Sequence, residues 1–226
     1  MKIGILITGH AIPEFEQDFG GDYDAVFAHM LRDQGFDFQG FNVVDGEFPD
    51  GPDAADGWLI TGSKHGAYED HDWIPPLEQL IREIYAEGRP LVGVCFGHQV
   101  IAQALGGKVE KFSGGWSVGH TTYDIEGEQM AINAWHQDQV TELPPGAQVI
   151  GSSDFCANAA LVYDDRIYTI QPHPEFTSHM IGQLLDTRAK DVVPEPIIND
   201  AKTKLDAPID SDKIASRIVE FFKQGA

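Results

Sequence analysis

The spacing of apolar residues changes along the chain, and turn residues mark each change. Residues 2–8 are β-branched and apolar up to Gly9, which predicts a buried strand. In residues 23–34, Val26, Phe27, Met30 and Leu31 recur at helical spacing. Residues 36–44 read as a second strand, and the Asp-, Gly- and Pro-rich residues 45–56 as a loop. A short strand over 58–61 ends at Gly62. Ile74, Leu77, Leu80, Ile81 and Ile84 then mark one face of a helix, with Pro75 and Pro76 near its start. Residues 90–94 form another apolar run, and a helix is predicted over 97–105.

Strands alternating with helices predict an α/β fold, with a mostly parallel central sheet flanked by helices. The pattern changes between residues 108 and 171. The short runs 108–112, 118–125, 147–151, 160–163 and 166–170 predict a small β-rich part in the second half. Helices are expected over 176–189 and 211–223, the second presenting Ile214, Ile218, Phe221 and Phe222 on one face. Residues 190–210 carry Pro194, Pro196 and Pro208 and read as a connector or flap. The expected division is a catalytic domain over 1–190 followed by a C-terminal connector and helix over 191–226. No internal repeat or low-complexity segment interrupts it.

The charge balance narrows the range of partners. Lys and Arg number 15 against 36 Asp and Glu, for a formal charge of −21. Such an acidic surface repels nucleic acid and anionic lipid, so neither is an expected partner. No apolar stretch approaches the length of a membrane span. The first residues are too short an apolar run for a signal segment and lack a cleavage site. Two cysteines, Cys95 and Cys156, do not make a disulfide scaffold, and the cytoplasm is the expected location.

The densest chemical signal is the segment Leu91 to Gln99. An apolar strand runs directly into Cys95, with Gly93 two residues before it and Gly97 two after. This is a nucleophile elbow with Cys in place of Ser, a sharp turn that leaves the thiol exposed at the strand's C-terminal end. A thiol nucleophile needs a base that later protonates the leaving group. His173, in Gln171-Pro172-His173-Pro174-Glu175, follows the predicted strand at 166–170. In an extended segment Glu175 projects to the same side as His173, where it can fix the ring and stabilise its cation. Acyl transfer also needs oxyanion donors. The backbone N–H of Phe96 is the expected first donor, and that of Ser63, after Gly62, the second. This chemistry calls for no cofactor and no metal.

These residues resemble the class I (triad-type) glutamine amidotransferases. The likeness rests on Gly93-Val-Cys95-Phe-Gly97-His-Gln99 and Gln171-Pro-His173-Pro-Glu175, and spans roughly residues 40–185. It implies a flavodoxin-like fold, a Cys-His-Glu triad, a γ-glutamyl thioester, and release of ammonia and glutamate from glutamine. It also implies that Gln99, Gly62, Gly115 and Trp116 help hold the substrate. Well-known members include the amidotransferase domain of GMP synthase and the small subunit of carbamoyl phosphate synthetase. Further stretches are similar to plant γ-glutamyl peptidases: 60–63 followed by Asp72-Trp73, 115–119, and Trp135-His136-Gln137-Asp138. The chain departs from many members in having Pro172 before the His and Gly62-Ser63 where Gly-Gly is common. A backbone donor does not need Gly at that second position.

Three readings follow. One is a glutaminase that passes ammonia to a separate synthetase subunit, which would have to bind in trans because the phosphate-loop signature is absent. Another is a stand-alone hydrolase of small γ-glutamyl compounds. The third is a non-enzymatic binding module, against which an intact Cys, His and Glu argue. Other candidates are set aside. His65, Glu69, Asp70, His71 and Asp72 match no fixed metal motif and read as a solvated acidic loop. His136 and Asp138 read as part of a loop at the site's rim, and Cys156 as structural.

Overall fold

The computed structural model describes residues 1–225. Four strands, β1 (Lys2–Leu6), β2 (Asp37–Phe41), β3 (Gly57–Ile60) and β4 (Leu91–Val94), fall in the first half. The second half adds β5 (Lys108–Lys111), β6 (Ser117–Ile125), β7 (Glu128–His136), β8 (Asp138–Glu142), β9 (Ala147–Ser152), β10 (Ala160–Tyr163) and β11 (Ile167–Ile170). Helices are α1 (Pro13–Phe19), α2 (Tyr23–Met30), α3 (Ile74–Ala86), α4 (Phe96–Ala104), α5 (Ser178–Thr187), α6 (Glu195–Thr203) and α7 (Ser211–Gln224).

Nine strands form one sheet in the order β2-β1-β3-β4-β11-β10-β9-β6-β7, while β5 and β8 pair separately. The β2-β1-β3-β4-β11 portion is parallel. Beyond β11 the pairings are antiparallel. The register sets Val94 opposite Ile170, so the strands leading to Cys95 and His173 end side by side. Ligand sites in such sheets lie outside the carboxyl ends of the strands.

Side-chain alternation divides the core. On one face, Leu6, Trp58, Ile60 and Leu91 pack with Leu77, Ile81 and Ile84 of α3 and Val100 and Ile101 of α4. On the other, Ile3, Ile5, Leu59, Val92 and Val94 meet Phe27 of α2 and Ile214, Ile218 and Phe222 of α7. Gly4 makes room for Trp58: a Cβ there would lie 2.3 Å from the indole ring. A third cluster joins α1, α5 and α6 around Phe15, Phe176, Met180 and Ile198.

Several sequence expectations need correction. The helix expected over 23–34 stops at Met30, and the strand expected over 36–44 stops at Phe41 and gives way to a 3-10 turn, Val43–Asp45. The expected connector over 190–210 contains helix α6, begun by Pro194 and Pro196, which sit where a first turn tolerates proline. The hairpin β6–β7 and strand β8 occupy residues that carried no strand expectation beyond 125. Helix α1 was likewise not foreseen. No helix among the described residues is long and apolar enough to cross a membrane.

Candidate active site

Cys95 stands between β4 and α4 with φ 54° and ψ −103°, a left-handed backbone conformation that side-chain-bearing residues rarely adopt. Its N–H donates to the Ile170 carbonyl at 2.9 Å, which ties the turn to β11. The flanking glycines are required sterically. A Cβ on Gly97 would lie 2.3 Å from the Ile60 carbonyl oxygen, and one on Gly93 would lie 2.7 Å from the Gly97 backbone. The elbow therefore closes only because strand, helix and β3 meet without side chains at these two points.

His173 follows β11 and is 4% exposed; Glu175 is equally closed to solvent. The His173 Nδ1 lies 2.7 Å from Glu175 Oε1, which leaves the other ring nitrogen as the one available to Cys95. Burial pulls the His173 pKa down, but the Glu175 carboxylate and Cys95 outweigh it and hold the imidazole above its ordinary value. The Phe176 ring stacks on the imidazole, with centroids 4.0 Å apart and planes 1° from parallel. The His173 N–H donates to the Asn133 carbonyl at 2.8 Å, and the Asn133 side chain donates to the Phe176 carbonyl, also at 2.8 Å. Ring, carboxylate and backbone are thus all fixed.

Gly62 fits against both His173 and Cys95. A Cβ on it would lie 2.9 Å from His173 Cε1 and 3.7 Å from Cys95 Cβ. The loop that carries it is held by threonines: Thr8 Oγ1 donates to the carbonyls of Thr61, at 3.0 Å, and Gly62, at 3.1 Å. Ser63 donates its hydroxyl to the Thr8 carbonyl at 2.6 Å. Among the described residues, neither the Ser63 N–H nor the Phe96 N–H is spent on a backbone carbonyl.

Gln99 is 3% exposed and lines the same cavity. Its amide nitrogen donates to the Asp138 carbonyl at 2.9 Å and to Gln171 Oε1 at 3.0 Å. Its oxygen is therefore the atom left to accept from a ligand. Trp116 lines the cavity, whereas Gly115, with its φ of 96° and its N–H donated to the Phe112 carbonyl, is not part of the lining.

The cavity has a volume of about 400 Å³. Its lining includes Lys64, Tyr68, Glu69, Lys111 and Asp138, an acidic and basic mixture. Burial raises the Asp138 pKa, against the pull of Tyr68 and Lys111. The lining also includes Tyr23 and Leu184, which share one cluster with Phe176, together with Arg188 and Val192. Sequence reasoning missed these residues entirely, since they come from segments far apart in the chain. His136 and Asp138 stand at the facing ends of β7 and β8, not in a loop. Burial pulls the His136 pKa down to about 3, and that of His98, whose Nδ1 contacts Thr169 Oγ1 at 2.8 Å, equally far.

The segment read as a solvated acidic loop is partly organised. His65, Glu69 and His71 bring potential donor atoms within 4.8 Å of one another, because the His71 ring stacks on Trp73 and bonds Glu69 at 2.8 Å. Cys156 is fully buried, and burial pushes its thiol up to about 12, as fits a structural residue.

Comparison with known proteins places the chain in a family. The family model described as glutamine amidotransferase class-I matches residues 17–187, beginning earlier than the motifs alone suggest. γ-Glutamyl peptidase 4 of Arabidopsis thaliana is 35% identical over 189 residues, covering 76% of this chain and 75% of its own. The glutamine-hydrolysing GMP synthase of Azoarcus sp. (strain BH72) is 32% identical over 186 residues, covering 74% of this chain and 34% of the synthase. A crystal structure of a glutamine amido transferase from Methylobacillus flagellatus superposes with a TM-score of 0.76 at 22% identity, over 99% of this chain and 94% of that one. The chain belongs to the class-I glutamine amidotransferase family.

Proposed function

We propose that this protein hydrolyses γ-glutamyl amide bonds through a thioester on Cys95, with His173 and Glu175 completing the triad. The observation that carries the reading is the strained Cys95 elbow in one cavity with a His173 whose Nδ1 is held 2.7 Å from Glu175. His173 takes the thiol proton, and the sulfur attacks the γ-carbonyl carbon. The N–H groups of Phe96 and Ser63 receive the oxyanion. As the carbon–nitrogen bond breaks, His173 returns the proton to the leaving nitrogen. Water, deprotonated by the same imidazole, then splits the thioester to free glutamate and the thiol. Glu175 stabilises the imidazolium in both halves.

The free oxygen of Gln99 and the Asp138 carboxylate suit the α-ammonium of the glutamyl group, and Lys111 suits its α-carboxylate. Two free thiols fit a reducing compartment such as the cytoplasm. Similarity to γ-glutamyl peptidases over three quarters of both chains favours a hydrolase that works alone. The second reading, a glutaminase serving a separate synthetase subunit, is supported by the GMP synthase match.

Purified protein and Cys95→Ala, given glutamine and γ-glutamyl dipeptides, separate these readings. Cys95-dependent glutamate release from dipeptides supports the stand-alone hydrolase. Release from glutamine alone, raised by an added synthetase, supports the second reading. Release unaffected by Cys95→Ala overturns both.

A further inference from the structure

The proposed chemistry gives the cavity a direction. His173 must protonate the leaving nitrogen, so the leaving group lies on the His173 side of Cys95. On that side Phe176 covers the imidazole, and Tyr23 stacks on Phe176 with centroids 6.4 Å apart. Leu184 of α5 packs in the same cluster as Phe176 and Tyr23, and Arg188 follows it by one helical turn. The row His173, Phe176, Tyr23, Arg188 thus leads from the reacting atoms to a guanidinium on the cavity wall.

That guanidinium lacks a partner. Lys202, Lys204, Lys213 and Arg217 each hold a carboxylate. Arg188, an exposed residue, holds none among the described residues, and of the cations without a carboxylate it is one of three, with Lys64 and Lys111, that line the cavity. Apolar surface adjoins the cation: Leu184 is buried, and Val192 is 56% exposed on the lip. Ammonia would use none of this. An amino acid leaving through its α-nitrogen would place its carboxylate towards the guanidinium and its side chain against Leu184 and Val192.

We infer that Tyr23, Leu184, Arg188 and Val192 form a leaving-group subsite whose Arg188 binds the α-carboxylate of an amino acid joined to the γ-glutamyl group, which makes γ-glutamyl peptides the substrate class. The inference rests on the hydrolase reading and sharpens it. Arg188 also caps the C-terminal end of α5, where any cation interacts favourably with the helix. A purely structural role of that kind would not select among substrates.

The test compares γ-glutamylglycine with γ-glutamylethylamide, which lacks the carboxylate, in the wild type, Arg188→Ala and Arg188→Lys. The expected wild-type preference for the glycine compound is about tenfold or more in kcat/KM, as a charge-assisted contact gives. Arg188→Ala removes that preference through KM, and Arg188→Lys restores part of it. Binding to Cys95→Ala, with and without Arg188→Ala, is measured in parallel by calorimetry and needs no turnover. Equal use of the two compounds by the wild type, or a preference that survives Arg188→Ala, overturns the subsite while leaving the hydrolase reading intact. Absence of hydrolysis together with Arg188-dependent binding of the glycine compound overturns the hydrolase reading and supports the subsite. Absence of both overturns both.

Discussion

Phe176 lies flat on His173, 4.0 Å between ring centres, in the same short segment that brings Glu175 to the imidazole edge. One turn after β11 therefore supplies the proposed base, the carboxylate bonded to it and the apolar cover over its ring. In such an enclosure the Glu175 charge acts through low dielectric and has a large effect on the ring.

Replacing Glu175 with Gln keeps the shape and removes the charge. The imidazolium then loses its proton at lower pH, because Glu175 is the strongest influence opposing burial. The alkaline limb of the activity profile moves down in pH, and kcat/KM falls by about 10²–10⁴-fold, as for comparable triads. A pH–rate series on both proteins measures the two effects.

Three buried histidines near the site differ in charge for identifiable reasons. His98 and His136 are desolvated without a carboxylate partner and remain neutral down to about pH 4, whereas His173 remains protonated above pH 7. Imidazole nitrogen shifts followed by NMR check this. In Cys95→Ala the His173 value falls, since Cys95 contributes to raising it.

Gly97→Ala would force a methyl against the Ile60 carbonyl at 2.3 Å. The expected loss is about 2–3 kcal/mol. For a chain of this size that is roughly 5–10 °C in Tm. Thermal unfolding by calorimetry gives the number, and an unchanged Tm would mean the elbow has slack.

Asp138 is expected to hold the α-ammonium as a carboxylate. Burial raises its pKa, so the carboxylate is lost as pH falls through a value above the usual range, and KM rises there. Asp138→Asn abolishes that acid limb and raises KM at neutral pH by about tenfold or more, with kcat much less affected. Initial-rate kinetics from pH 4 to 7 provide the comparison.

The grouping of Cys95, His173 and Glu175 was legible in the sequence because each signal is local. Two glycines spaced around Cys95 specify a turn, and Glu175 two residues beyond His173 specifies a shared side. Most of the parallel half of the sheet was legible because β1, β3, β4 and β11 are apolar runs buried on both faces. The rest was hidden for physical reasons. Strands β7 and β8 carry exposed polar residues at the sheet's edge and in a small separate pair, so His136 and Asp138 looked like loop. Helix α6 buries only Ile198 and Ala201, and its prolines mark a helix start as readily as a break. Tyr23 and Arg188 meet at one cavity wall from opposite ends of the chain, and no local pattern announces such a meeting.

The most direct test of the account is to find the thioester. Wild-type protein turning over a γ-glutamyl anilide is quenched in acid, digested and analysed by mass spectrometry, with Cys95→Ala in parallel. The account predicts a γ-glutamyl group on the peptide that contains Cys95, absent from the variant. Hydrolysis that proceeds equally in Cys95→Ala, or a γ-glutamyl group carried by Cys156, would contradict it.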